Sequence, residues 1–170
     1  ALAIGEEILN RYSKAKIHYV GSIFGLEAKV FPIKDVWHTL LPIRGFQRGI
    51  SLENLSRNFL LPIRIIRSFY KTKSLINDFK PNIVVGTGGY ASAVPLLVAS
   101  NYRSKIPIVL QEQNSFPGLT TRWFAKKSAK ICVAFKYKNF GLFENVVHTG
   151  NPIRKGIATG DKTLGYKNFY

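Results

Sequence analysis

The sequence has little of several residue types, and each shortage excludes a class of protein. Among 170 residues there is no methionine and one cysteine, Cys132. A single cysteine excludes an internal disulfide and is typical of a reducing compartment. We find no apolar run near the roughly 20 residues of a membrane-spanning helix, and no signal-peptide pattern. Cys132 stands in the apolar run 131–134, which predicts packing rather than nucleophilic chemistry.

Acidic residues are also scarce. The chain has 9 acidic and 25 basic residues, which gives a formal net charge of +16. This imbalance predicts attraction to a polyanion or to an anionic membrane surface. The alternatives are a solvated basic face or a lysine-rich compositional bias. A hydrophobic content of 46% is enough for a packed core, so we expect one ordinary domain or half of a larger enzyme.

Helical and apolar extended segments alternate along the chain. The pattern predicts helices over residues 1–12, 25–31, 62–79, 90–102 and 118–127, with a further helical segment from Ser51. It predicts strands over residues 17–20, 39–43, 83–85, 106–110, 130–134 and 145–148, and a loop or linker over 155–170. Continuously apolar strands between helices are typical of a parallel sheet covered on both faces. The predicted class is therefore α/β, with an open, doubly wound parallel sheet.

A glycine turn follows the strand at 83–85, in the order Gly86-Thr87-Gly88-Gly89, and leads into a helix. Glycine permits positive φ and close approach of a ligand, while the helix start presents unpaired N–H groups to an anion. The turn lacks the three spaced glycines of a dinucleotide site and the lysine of a P-loop. It therefore predicts either a phosphate cradle or close packing only.

Two other polar segments each follow a predicted strand. The carboxyl ends of parallel strands lie along one rim of the sheet, and ligands bind at that rim. Gln111, Glu112, Gln113 and Asn114 are costly to bury without partners and can bind a sugar or nucleotide; the alternative is a polar loop. The turn Thr149-Gly150-Asn151-Pro152-Ile153-Arg154 would position an arginine for a bidentate phosphate contact. We find no nucleophile–histidine–acid set, no metal-ligand spacing and no carboxylate pair.

The helix at 62–79 has two apolar faces. Its core stripe is predicted to contain Ile65, Phe69, Thr72, Ile76 and Phe79. A second face carries Ile63, Ile66 and Tyr70, with Arg67 and Lys73 at its edges. An additional apolar patch bordered by cations is typical of an interfacial membrane contact. The alternative is that this patch contacts the preceding segment near Leu60 and Leu61.

Taken in order, these segments resemble the N-terminal domain of the MurG-type transferases of glycosyltransferase family 28. The stretches that carry the resemblance are Ala1-Leu2-Ala3-Ile4, Gly25-Leu26-Glu27-Ala28, residues 80–92, Glu112-Gln113-Asn114 with Pro117-Gly118-Leu119-Thr120, and Gly150-Asn151-Pro152-Ile153-Arg154. The resemblance covers residues 1–157, as an acceptor and membrane-binding domain, with 158–170 starting an interdomain linker. It implies a GT-B fold of two doubly wound domains with catalysis between them.

The family's reaction is an inverting transfer of N-acetylglucosamine from UDP-N-acetylglucosamine to the C4 hydroxyl of the muramoyl sugar of lipid I, without an obligatory metal or cofactor. The implied partners are the anionic cytoplasmic face of the bacterial membrane, undecaprenyl-linked lipid I and the nucleotide sugar, and they do not include nucleic acid. The implied residues are Gly86, Thr87, Gly88, Gly89, Tyr90 and Ser92 for the acceptor diphosphate, Asn114 and Arg154 for the donor, and Gln111, Glu112, Gln113, Gly150 and Asn151 as rim support. The implied membrane patch contains Ile63, Ile66, Arg67, Phe69, Tyr70, Lys73 and Tyr102.

The sequence also departs from the family pattern. The family's first strand and first glycine loop, with a histidine proposed as general base, would precede Ala1, and its C-terminal donor domain would follow. Gln111 stands where the family often has histidine, and an amide cannot act as a base. We therefore expect no catalytic base in these residues and no turnover by this chain alone. The rival hypotheses are a basic nucleic-acid-binding domain and a dinucleotide oxidoreductase, which lack supporting motifs here.

Overall fold

The computed structural model describes residues 1–45, 59–102, 106–136 and 144–154. The chain divides into two compact units, one with residues 1–17 and 151–170 and the other with residues 18–150. The helical segment predicted from Ser51, the tail at 155–170 and the domain boundary at 157 lie outside the described residues. In the first unit, helix α1 (Leu2–Arg11) carries an exposed i,i+4 pair in which Arg11 Nε donates to Glu7 Oε1 at 2.7 Å.

The larger unit contains two parallel sheets. The first pairs β1 (Tyr19–Ser22) with β2 (His38–Leu41), and helix α2 (Glu27–Ile33) connects them. The second has the order β3 (Val84–Gly86), β4 (Ile108–Glu112), β5 (Lys130–Val133) and β6 (Val146–His148). The other helices are α3 (Leu61–Phe79), α4 (Gly89–Ser100) and α5 (Leu119–Phe124), the last followed by a 3₁₀ turn at Ala125–Lys127. The α/β class and the parallel strands predicted from the sequence are confirmed, with the strands in two sheets.

The core lies where α3, α4 and α5 pack against both sheets. Its most buried members include Leu41 of β2, Leu96 of α4 and Ile131 of β5, each with no exposed surface. Gly86 allows α4 to lie directly on β3, because a Cβ there would stand 2.7 Å from Leu96 Cδ1. Removing these apolar side chains from water is the main stabilising contribution, at about 25 cal/mol for each Å² buried.

Several predicted boundaries differ from the structure. Strands β1 and β4 both begin two residues later than predicted, so Gly21 lies inside β1 and the last two residues of β4 are Gln111 and Glu112. Their hydrogen bonds allow two polar side chains to be buried in a strand, which an apolar pattern does not reveal. Helix α2 also continues through Pro32, which the sequence predicts as its end.

Candidate functional site

The glycine turn connects β3 to α4 at the carboxyl end of the four-stranded sheet. Gly88 and Gly89 have φ of +84° and +74°, a region that glycine enters without the steric cost of a Cβ. Gly88 precedes the first residue of α4, and no side chain caps that helix start. The backbone N–H groups of the first turn of α4, with the positive end of the helix dipole, therefore suit an anion.

Hydroxyl groups hold the carbonyls of this turn. Ser92 Oγ donates to Gly88 O at 2.6 Å and to Gly89 O at 3.0 Å, and Thr120 Oγ1 donates to Gly89 O at 3.1 Å. With both carbonyls engaged, fewer partial negative charges oppose an approaching anion. Ser92 was predicted to contact the acceptor, and its hydroxyl here fixes the shape of the turn.

Glu112 organises the neighbouring polar segment. Its side chain is only 2% exposed, and Oε1 accepts from the Asn114 backbone N–H at 3.1 Å and from Asn114 Nδ2 at 2.8 Å. Oε2 accepts from the Gly118 N–H at 2.9 Å and from Thr121 Oγ1 at 2.6 Å. A buried carboxylate needs this full set of donors to offset its lost hydration. Glu112 thereby fixes the Asn114 side chain and the start of α5.

The structure brings the glycine turn and the polar segment together. Besides the bond from Thr120 to Gly89, the Gln113 side-chain nitrogen lies 3.7 Å from the position a Cβ on Gly88 would take. Gln111 is buried in β4 beside Cys132 of β5, and its role as rim support stays a prediction. Thr120 and Thr121 were not among the predicted site residues. The sequence feature that could have identified them is a pair of adjacent hydroxyl side chains in the first helical turn after the polar segment.

The third predicted segment is divided between the two units. The Thr149 N–H donates to Val133 O at 3.1 Å, and Gly150 follows with φ of +75°, so this turn leaves the same sheet at its carboxyl end. Asn151 and Arg154 belong to the smaller unit, and both are exposed. Their proposed roles remain predictions.

The proposed membrane face of α3 is exposed as predicted. Ile63 and Ile66 are 48% and 56% exposed, and Tyr70, Arg67 and Lys73 are exposed with them. Phe69 packs partly against the core, on the side that the helical wheel gives it. Tyr102 also packs there and donates its hydroxyl to Asn77 Oδ1 at 2.5 Å. In the core stripe Thr72 and Ile76 are buried, whereas the prediction for Ile65 is wrong, because this side chain near the start of α3 is 38% exposed.

The histidines have structural partners. His18 Nε2 lies 2.8 Å from Thr39 Oγ1, and its ring contacts Trp37 and Phe79. Burial, with a smaller effect of His38, lowers the pKa of His18. This group lies at the amino end of β1, whereas the glycine turn follows the carboxyl end of β3. Across the described ranges, no three metal-ligating side chains come together and no helix is long and apolar enough to cross a membrane.

Comparisons with known proteins agree with this arrangement. The profile of the glycosyltransferase family 28 N-terminal domain matches residues 1–133. A protein of Christiangramia forsetii is 38% identical over 95% of this chain, and one of Amoebophilus asiaticus is 40% identical over 97%. Each is called UDP-N-acetylglucosamine--N-acetylmuramyl-(pentapeptide) pyrophosphoryl-undecaprenol N-acetylglucosamine transferase.

The chain spans 43% and 44% of the lengths of these two relatives. A crystal structure of Acinetobacter baumannii MurG superposes with a TM-score of 0.66, at 20% identity, over 92% of this chain and 42% of that one. At this identity the superposition shows a shared fold. With the profile matched over more than half of its residues, the chain belongs to glycosyltransferase family 28, within the N-terminal domain of that family.

Proposed function

We propose that this chain is the acceptor-binding part of a transferase that moves N-acetylglucosamine from UDP-N-acetylglucosamine to the C4 hydroxyl of the muramoyl sugar of lipid I. The observation that carries the proposal is the glycine turn at the start of α4, held by Ser92 and Thr120 against the segment that Glu112 orders. The named activity of the relatives supports the choice of substrates.

In this proposal the glycine turn at 86–89 and Tyr90, in the first turn of α4, receive the diphosphate of the acceptor. A diphosphate carries negative charge that the N–H groups and the helix dipole stabilise. Asn114, fixed by Glu112, contacts the nucleotide sugar. The proton acceptor for the C4 hydroxyl and most of the nucleotide site are supplied by other parts of the enzyme, and no metal is required.

The proposed location is the cytoplasmic face of the bacterial membrane, with Ile63 and Ile66 at the lipid boundary. Both side chains are exposed on α3, next to Arg67. Exposed apolar side chains among cations bind an interface by burying apolar area and attracting anionic lipid. This location would bring the glycine turn to a lipid-linked substrate.

The test measures transfer of labelled N-acetylglucosamine to lipid I by the full-length natural protein, with and without a chelator. We expect transfer under both conditions. Gly88→Ala should lower kcat/KM at least about tenfold, because a Cβ at φ of +84° forces the turn to change shape. The control is Gly118→Ala, where φ is −64° and the added Cβ would lie 3.5 Å from Glu112 Oε2.

Two results would overturn the proposal. One is the absence of transfer by the folded full-length protein with both substrates present. The other is an unchanged kcat/KM in Gly88→Ala, which would mean that the turn serves packing only.

A further inference from the structure

The segment that follows β2 contacts the start of α4 through a glycine and an aromatic ring. A Cβ on Gly45 would lie 2.6 Å from Tyr90 Cδ2 and closer still to Tyr90 Cε2, so the ring rests against the Gly45 backbone. The φ angle of Gly45 lies outside the range from +20° to +160°, which Gly88 and Gly89 occupy. The backbone therefore does not require a glycine at position 45, and what this glycine supplies is the space that the Tyr90 ring fills.

The Tyr90 ring lies on the side of α4 that faces the glycine turn. Tyr90 is the second residue of α4, directly after Gly89, and helical side chains lean toward the amino end of their helix. Gly45 stands four residues beyond Leu41, the last residue of β2. The loop after β2 therefore supports a ring that leans toward the turn after β3.

The ring is supported on one side without being buried. Tyr90 is 47% exposed, whereas the next residue, Ala91, packs against the hydrophobic core. Among the described residues the Tyr90 hydroxyl has no hydrogen-bond partner. A tyrosine that served packing alone would gain stability by burying more of its ring. Tyr90 instead offers an apolar surface and an available hydroxyl beside the N–H groups of the turn.

This combination matches a sugar that is attached to a phosphate. N–H groups and a helix dipole bind a diphosphate, which gains nothing from an apolar ring. A sugar ring has an apolar face of C–H bonds and hydroxyl groups at its edge, and tyrosine likewise has an apolar body and a polar tip. Ligand sites commonly combine aromatic walls with a few polar groups that fix orientation. In the acceptor of the proposed reaction the muramoyl sugar is joined to the diphosphate, so the two would lie side by side.

We propose that Tyr90 stacks on the muramoyl sugar of the acceptor, and that Gly45 is the residue that positions the Tyr90 ring for this contact. The inference rests on the proposed function, because a diphosphate in the glycine turn brings its sugar beside the ring. It adds a source of specificity, since the site then prefers a glycosyl diphosphate to a diphosphate without a sugar. Gly45 contacts no substrate and acts through Tyr90.

Binding of two ligands tests this role. Lipid I and undecaprenyl diphosphate, which lacks the sugar, are bound to the full-length natural protein in detergent micelles without nucleotide sugar. The readout is the ratio of the two dissociation constants, because misfolding weakens the binding of both ligands and leaves their ratio unchanged.

Tyr90→Ala should lower the preference for lipid I at least about fivefold, because the stacked ring is lost. Gly45→Ala should lower it at least about threefold, because the added Cβ displaces the ring. Tyr90→Phe keeps the ring and should stay within about twofold of the unsubstituted protein. The control Trp37→Ala removes another exposed ring, at the amino end of β2, and should leave the ratio unchanged.

A double-mutant cycle isolates the part of Gly45. In the Tyr90→Ala background, Gly45→Ala should change the ratio by less than about 1.5-fold, because the ring that its Cβ would meet is gone. An equal loss in both backgrounds would overturn the positioning role, as would an unchanged ratio in Gly45→Ala alone.

A third result would overturn the contact with the sugar. It is an equal weakening of lipid I and undecaprenyl diphosphate in Tyr90→Ala, which would assign the ring to the diphosphate or the lipid chain. Binding is measured without catalysis, so absence of transfer by the unsubstituted protein counts against the proposed function, whereas the three results above count against the role of Gly45 and Tyr90.

Discussion

At the scale of single residues, Glu112 decides the geometry of the candidate site. Its two carboxylate oxygens accept four hydrogen bonds from three residues of the following segment. The polar run at 111–114 is evident in the sequence, but the different roles of its members are not. Whether a carboxylate faces a ligand or its own backbone depends on the path of the chain after the strand, and residue types do not fix that path.

Replacing Glu112 with glutamine should destabilise the domain by about 2 kcal/mol, because the amide nitrogen cannot accept and leaves two donors without partners. Urea unfolding measures this change. The exposed Glu144→Gln is the control, since it removes the same charge without burial. Equal unfolding midpoints for Glu112→Gln and the unsubstituted protein would show that the four bonds add no net stability.

At the scale of elements, the contact between β3 and α4 sets the position of the glycine turn. Helix α3 matches its predicted span to within one residue, because a long amphipathic pattern with proline near its start is a strong signal. Strands are harder to delimit, as the two-residue shift of β4 shows, because buried hydrogen-bonded polar residues interrupt the apolar run. The sequence also suggested that glycines after a strand serve close packing; Gly86 does so, while Gly88 and Gly89 have positive φ.

Gly86→Ala should cost about 1–3 kcal/mol of stability, since its Cβ would collide with the fully buried Leu96. The double-mutant cycle with Leu96→Ala tests the cause. Leu96→Ala alone should cost about 2–5 kcal/mol, and Gly86→Ala should then add nothing, because the colliding atoms are gone. If the two losses of stability add in the double variant, the collision with Leu96 is not the cause of the destabilisation by Gly86→Ala.

At the scale of the whole molecule, a net charge of +16 and an exposed apolar face on α3 predict a membrane contact. Composition alone is enough to make the prediction of an attraction to anions, which stays untested. The approach of Arg44 and Arg64 to the Phe24 ring, at 4.7 and 5.1 Å from its centre, was not predictable, because the three residues are distant in sequence and only the fold brings them together.

The double substitution of Ile63 and Ile66 by glutamate should reduce binding to vesicles at least about tenfold, because two apolar side chains lose their burial in lipid. The unfolding midpoint should not change, as both positions are exposed. Ile33→Glu on α2 is the control, since Ile33 is 80% exposed and lies outside the proposed face. Undiminished binding by the double variant would show that this face of α3 does not contact the membrane.

The parallel pairing of every described strand has a consequence for how the domain forms. Parallel neighbours cannot join through a tight hairpin, so each pair must wait until the intervening segment has crossed over. Contacts between distant residues slow folding, and the ladder edges stay open during that time. In newly made chains these edges are therefore open to pairing with another chain for longer than in a sheet built from hairpins.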